Sequence, residues 1–317
     1  MAADDKKDKA REILEHIRDI EGRSTYKTKL DNSVIGALAV GNHATATGTV
    51  QVGASDKQSS PDSLIDFAIL TAIDLERQAV CAAFGLTNEH RVRKEGSTYW
   101  RGTLPLKDGQ HYGILVAQQR DMGQVEAALL ATDVIKHWQP SAALLVGIGT
   151  TTKPDEVKLG DVVVGRSVYY YEHGKVTAEG TKLQPEIIPA DASLLAHFVG
   201  SADWDGAVPV ERPDDPEGKP KIHYGVIASG EKVIASAAAR DAIASGHRKI
   251  IALSMESYGF SRVFSLSFER VRYLEIRGIC DDGSERKDDR WRRYAAAASA
   301  SFARHFMLNR PVEPKGR

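Results

Sequence analysis

RYLEIRGICDDGSERKDDRW, residues 272–291, decides how the chain reads. An apolar run stops at two acids, Asp281 and Asp282, and a glycine, a serine and a run of charges follow. A short apolar run bounded by turn residues is the pattern of a buried strand. Such a strand ends in acids for one of two reasons. Either they are solvated loop residues, or one of them, Asp281, stands at the carboxyl end of a core strand and works on a ligand.

Around this stretch the pattern is α/β. Residues 290–309 form a closing helix rich in alanine, and KIIALSM upstream is a strand running into the helix ESYGFSRVFSL. Further strands read as FAILTAI, STYWRGTLP, HYGILVAQQ, SAALLVGIG, GDVVVGRSVYYY and HYGVIASG. Helices are expected over LERQAVCAAFG and over residues 123–138, 191–200 and 231–246, and the proline-bearing WDGAVPVERPDDPEGKPK is a loop. Strands alternating with helices imply a mostly parallel or mixed sheet with helices on both faces.

Composition narrows the class. The 317 residues are 27% charged and 42% hydrophobic, ordinary for a soluble globular protein. A formal net charge of −1 supplies no global field toward nucleic acid or anionic membrane, though it permits a local basic patch. The two cysteines, Cys81 and Cys280, form no C-x-x-C, and the ten histidines form no H-x-x-x-H, so neither a metal nor a disulfide scaffold is expected. No cofactor is expected either. The polar start and the lack of any run of about 18 apolar residues point to a cytoplasmic chain without a membrane span.

Residues 1–62 differ from the rest. The stretch 1–32 reads as a helical segment, with Ile13, Leu14, Ile17 and Ile20 on one side of a helix over 4–21. Residues 33–62 read as a hairpin-like segment around Gly41-Asn42 followed by the linker ASDKQSSPD. This appendage is either a flexible tail or a docking segment for oligomerisation or a protein partner. The main domain is expected over 63–311.

In doubly wound sheets ligands bind outside the carboxyl ends of the strands. Four strands end in polar or glycine groups there: TAIDLE, VGIGTTT, LSMES and GICDD. They deliver Glu76, Thr150, Glu256 and Asp281 toward one edge. Each acid alone is more simply a solvated cap; the combination carries more weight.

The order TAIDLE, VGIGTTT, KLGDVVV, GVIASGEKVI, ALSMES and IRGICDD resembles the nucleoside phosphorylase superfamily, most nearly its methylthioadenosine/S-adenosylhomocysteine nucleosidases, over residues 65–308. The resemblance implies a three-layer nucleoside phosphorylase-like fold, a mixed central sheet flanked by helices, with the N-terminal appendage added. It implies cleavage of the bond between a purine and ribose through an oxocarbenium-like transition state. Asp281 matches the group that protonates N7 of the leaving base, a task suited to a carboxyl kept protonated in a dry pocket. Met255 and Glu256 match the pair that packs on the sugar and accepts from its hydroxyls. Glu76 matches the acid that activates water. Phosphorylases hold phosphate with an arginine where this chain has Gly147, so hydrolysis is expected over phosphorolysis. Gly149 and Thr150 line the nucleophile and ribose side, and Arg277 organises the site.

Three features depart from the family pattern or extend it. Val233 stands where the nucleosidases place a base-stacking aromatic, with Ile234 after it; one of Tyr169, Tyr170 and Tyr171 is the substitute, and Tyr170 is the candidate. Arg120, Lys232 and Arg262 are cations near the 5′ side, and Arg120 in particular would favour a phosphate-bearing substrate. The appendage resembles the layout of nucleosidase effectors of prokaryotic antiviral systems, which destroy adenine nucleotides such as ATP. The expected activity is therefore hydrolytic release of adenine from an adenine nucleotide or nucleoside. Methylthioadenosine/S-adenosylhomocysteine salvage and phosphate-dependent phosphorolysis are the alternatives. A homo-oligomer is expected.

Overall fold

Alternation within one strand sets the architecture. In β1 (Phe67–Thr71) every residue is buried. Phe67 and Ile69 join one apolar cluster, while Ala68 and Leu70 join another. Successive side chains of a strand point to opposite faces, so a strand buried on both sides needs a helical layer on each. The computed structural model describes residues 64–199, 203–285 and 288–316, and these belong to the unit Ser59–Arg317. The segments expected over 1–32 and 33–62 lie outside the described residues.

The remaining strands are β2 (Arg91–Lys94), β3 (Ser97–Pro105), β4 (His111–Gln118), β5 (Ala142–Thr151), β6 (Val162–Tyr170), β7 (Gly174–Thr177), β8 (Gly180–Leu183), β9 (Glu186–Pro189), β10 (Ile222–Ser229), β11 (Ile250–Ser254) and β12 (Arg272–Asp281). The helices are α1 (Asp74–Ala83), α2 (Gln124–Trp138), α3 (Ala192–Val199), α4 (Ala237–Ser245), α5 (Ser257–Leu266) and α6 (Asp289–Leu308). The main sheet has the order β11-β10-β6-β12-β5-β1-β4-β3-β2, with β9 on β6. Pairing is mixed. β1 runs parallel to β4 and β5, and β5 parallel to β12, whereas β6 is antiparallel to β12. The far end of β5 also pairs antiparallel with β11, Thr150 opposite Leu253. The strands β11, β10, β6, β12 and β5 therefore close into a ring.

α1 and α6 cover one face and α2 and α5 the other. Close approach is built in by glycine. A Cβ on Gly278 of β12 would lie 1.9 Å from the Ala295 carbonyl of α6, and one on Gly259 of α5 would lie 2.0 Å from the Gln124 carbonyl of α2. The alanine-rich seam of α6 is thus seated directly on β12. The sequence predicts the long strands and helices but not β2, β7, β8 or β9. The helix expected over 231–246 begins only at Ala237, where Ser236 caps it by accepting from the Ala239 amide; residues 230–236 are an irregular segment.

Candidate active site

The carboxyl ends of β1, β5, β11 and β12 surround a cavity of about 280 Å³. β1 runs straight into α1, and Glu76 sits at the third position of that helix. Its carboxylate reaches back: Oε2 accepts from the Ala72 amide at 2.7 Å and the Ile73 amide at 3.2 Å, the reciprocal half of a capping box. The other oxygen accepts from the Ile148 amide of β5 at 2.8 Å. A helix start thus holds an acid over the end of the central strand.

Gly147 makes room for it. A Cβ there would lie 2.3 Å from Glu76 Oε1 and 2.9 Å from Arg277 Nη1. Gly147 is opposite Arg277 in the β5–β12 register. The position where the sequence resemblance implies an arginine in phosphorylases therefore sits beneath the Glu76 carboxylate.

Arg277, wholly buried, organises the floor. Its Nε donates to Glu275 Oε1 at 2.6 Å, its Nη2 to Glu256 Oε2 at 3.1 Å and its Nη1 to the Ile148 carbonyl at 3.2 Å, with Glu76 Oε1 at 4.0 Å. Three carboxyl groups surround one guanidinium, all nearly dry. Burial pushes the Glu76 carboxyl above its ordinary range; Arg277 opposes this, and Glu256 adds to it. The Arg277 guanidinium stays charged, its neighbouring carboxylates outweighing its burial.

Asp281 reaches the cavity through an irregularity in β12. The β12–β5 register slips between Ile279 and Asp281, which sets Asp281 opposite Thr150. Such a bulge re-aims a side chain next to a site. Asp281 Oδ1 accepts from Thr150 Oγ1 at 2.8 Å and from the Gly283 amide at 2.9 Å. Its neighbour Asp282 is a turn residue whose carboxylate accepts from the Ser284 amide at 3.0 Å; the Ser284 hydroxyl first, then this amide and Arg240, hold it below the ordinary carboxylate range. Glu256 precedes α5, and its Oε2 also accepts from Ser254 Oγ at 3.2 Å.

Of the residues singled out from sequence, Glu76, Gly149, Thr150, Val233, Ile234, Met255, Glu256 and Asp281 all line this one cavity. Arg277 lies just beneath it. Two expectations need correction. Arg120 is exposed and lines a separate groove with Trp100, Gln118 and Glu126, between β3 and α2. The loop after β4 divides here: Met122, two residues on, lines the cavity, while Arg120 lies on the groove side. Tyr170 is also outside: its ring stacks on Tyr258 with centroids 4.0 Å apart. Alternation along β6 puts Tyr170 on the face opposite Tyr169, and it is Tyr171, just past the strand, that lines the cavity. Tyr171 lies against Gly230, and burial, reinforced by Glu172, pushes its phenol up to about 12.

At the rim stand two cations. Lys232 pairs with Glu172, and Arg292 of α6 donates to Asp289 at 3.2 Å. Sequence reasoning had weighed Lys232; Arg292 and Glu275 were missed. The signal for Glu275 was present, because a glutamate inside an otherwise apolar strand must find a partner on burial. Among the described residues no cluster of histidine, cysteine and acids could hold a metal ion.

Comparison with known proteins agrees with this layout. The profile of the phosphorylase superfamily matches residues 66–307. The chain belongs to the phosphorylase superfamily. Within this superfamily it is similar to Cap17, an ATP nucleosidase of Escherichia coli strain KTE188, with 28% identity over 259 residues, 75% of this chain and 50% of that protein. The chain thus spans about half the length of the curated relatives it matches. Its fold is that of futalosine hydrolase of Helicobacter pylori, with a TM-score of 0.62 and 20% identity over 77% of this chain and 97% of that one. It is equally that of the methylthioadenosine/S-adenosylhomocysteine nucleosidase of Streptococcus pneumoniae, solved with 8-aminoadenine, with a TM-score of 0.61 and 19% identity over 77% and 99%.

Proposed function

We propose that this chain is a hydrolytic purine N-glycosidase that releases adenine from an adenine nucleotide, ATP before others. The observation that carries it is the convergence of Glu76, Glu256 and Asp281, from three separate elements, on one cavity, with the Glu76 carboxylate over Gly147. In this reading Asp281 donates to N7 of the base as the bond from N9 to C1′ breaks. A water then bonds to C1′, and its proton passes to Glu76. Glu256 accepts from the ribose hydroxyls and, with Met255 against the sugar, holds C1′ between base and water. Tyr171 is the ring that packs on the purine.

The nucleotide is favoured over a thio-nucleoside by Lys232 and Arg292 at the rim, where a phosphate chain would need cations. Likeness to an ATP nucleosidase supports the same choice, and a role in depleting adenine nucleotides during antiviral defence belongs to this reading. Cytoplasmic residence, a homo-oligomer, and a partner or subunit docked through residues 1–62 belong to this reading. No helix among the described residues is long and apolar enough to cross a membrane.

Chromatography of free adenine tests the assignment, after separate incubation with ATP, AMP, adenosine, methylthioadenosine and S-adenosylhomocysteine, with and without phosphate. Phosphate-independent adenine from ATP is the expected result. Adenine from the thio-nucleosides alone would reassign the chain to salvage, and a requirement for phosphate would make it a phosphorylase.

A further inference from the structure

Glu275 has no part in the chemistry just described, yet it is among the most buried charged residues of the chain at 3% exposure. It stands in the middle of β12, opposite Gly165 of β6. One carboxyl oxygen does two things. Oε1 accepts from the Ser257 hydroxyl of α5 and from Arg277 Nε. The other, Oε2, is buried with no hydrogen-bond partner among the described residues. An unpaired oxygen on a buried carboxylate is costly and persists only where the surroundings fix it.

The consequence falls on Arg277. A guanidinium is a rigid planar fork, so fixing its Nε edge fixes the direction of both Nη groups. Here those groups meet Glu256 Oε2 at 3.1 Å, the Ile148 carbonyl at 3.2 Å and Glu76 Oε1 at 4.0 Å. The charged groups facing this cluster come from three elements: Glu76 from α1, Glu256 at the start of α5, and Glu275 with Arg277 from β12. β5 contributes the Ile148 backbone and the bare Gly147, and β6 contributes Gly165. Glu275 is thus the carboxylate that balances the positive charge of Arg277 most.

We propose that Glu275 is a positioning residue of this site: anchored by Ser257, it locks the Nε edge of Arg277 and offsets its charge, so that Arg277 orients Glu76 and Glu256. The proposal rests on the reading of Glu76 as the base that takes a proton from water. Removal of the Glu275 charge lets Arg277 favour ionised Glu76 more strongly, so Glu76 then loses its proton at lower pH.

The test compares the wild-type chain with Glu275→Gln, which keeps the shape and an acceptor for Arg277 but removes the charge. Two readouts run against pH: adenine release from ATP, and the infrared band of buried protonated carboxyl groups, which needs no turnover. In Glu275→Gln the acid limb of the rate profile and the infrared titration both move to lower pH, by about half a unit or more. A merely structural role would lower thermal stability and leave both curves where they are, and superimposable curves overturn the proposal. Ser257→Ala, which weakens the anchor from outside the cluster, moves both curves the same way by less, and it decides the matter if Glu275→Gln fails to fold. If the wild-type chain releases no adenine from any substrate, the assigned activity falls, and the infrared titration alone still judges Glu275.

Discussion

At the floor of the cavity Arg277, with no exposed surface, meets three carboxyl groups; at the rim Lys232, with 73% of its side chain exposed, meets one. Both are cation–carboxylate contacts, but their energetics differ. An exposed ion pair contributes about 0–1 kcal/mol and is screened by salt. A dry cluster is unscreened, and breaking one partner of it costs about 3–5 kcal/mol because a charge is left stranded. The floor is therefore suited to holding geometry and protons for chemistry. The rim is suited to selecting a charged substrate, loosely and reversibly.

Substitutions can break this contrast. The largest expected effect is Glu76→Gln, which should lower adenine release by about 10²–10⁴-fold while the protein still binds nucleotide, measured by single-turnover kinetics and calorimetry. Unchanged release would remove Glu76 from its role. Gly147→Ala follows: the added methyl meets the Glu76 carboxylate, so release should fall by at least about tenfold, with about 1–3 kcal/mol lost in thermal unfolding. The rim gives a different signature. Lys232→Ala with Arg292→Ala should raise KM for ATP by about tenfold or more, as expected for two charge-assisted contacts, and leave kcat/KM for adenosine nearly unmoved. An equal loss on both substrates would refute phosphate recognition there. Rising salt should mimic the rim variant and spare the floor.

The pH dependence sharpens the same point. Glu76 must be ionised to accept a proton, and burial raises its pKa above the ordinary carboxylate value. Activity is therefore present above that raised pKa and is lost as pH falls through it, so the acid limb should lie above that of a free glutamate. The smallest effect separates two neighbours. Tyr171→Leu should raise KM for every adenine substrate by about three- to tenfold, the worth of one aromatic contact. Tyr170→Leu should leave KM alone.

The acids of the floor were legible because they follow from two rules acting together: strands buried on both faces, and function at their carboxyl ends. Asp281, Glu256 and Glu76 each stand where an apolar run stops. What was not legible depended on pairings that no single segment contains. Arg120 ends a strand like the others, but it lies in the groove beside α2 while Met122, two residues on, reaches the cavity, and nothing in QQRDMGQ shows that split. Tyr170 and Tyr171 differ by one residue, and the β6 pleat decides between them. Arg292 sits in a run of charges that reads as solvated helix surface, and it reaches the cavity only because α6 is drawn down onto Gly278. The strands β7 and β8 escaped because they are mostly exposed and carry no apolar alternation.

The pairing of the β5 tip with β11 has one more consequence. β11 would otherwise be an edge strand, and its outer backbone groups would invite a neighbouring chain. The ring removes that edge and, with it, any hinge between strands around the pocket. Parting the wall would break ladder hydrogen bonds on both sides of β5. The wall of the pocket is thus one closed piece of sheet, and its irregular side is the segment 230–236 beside Tyr171.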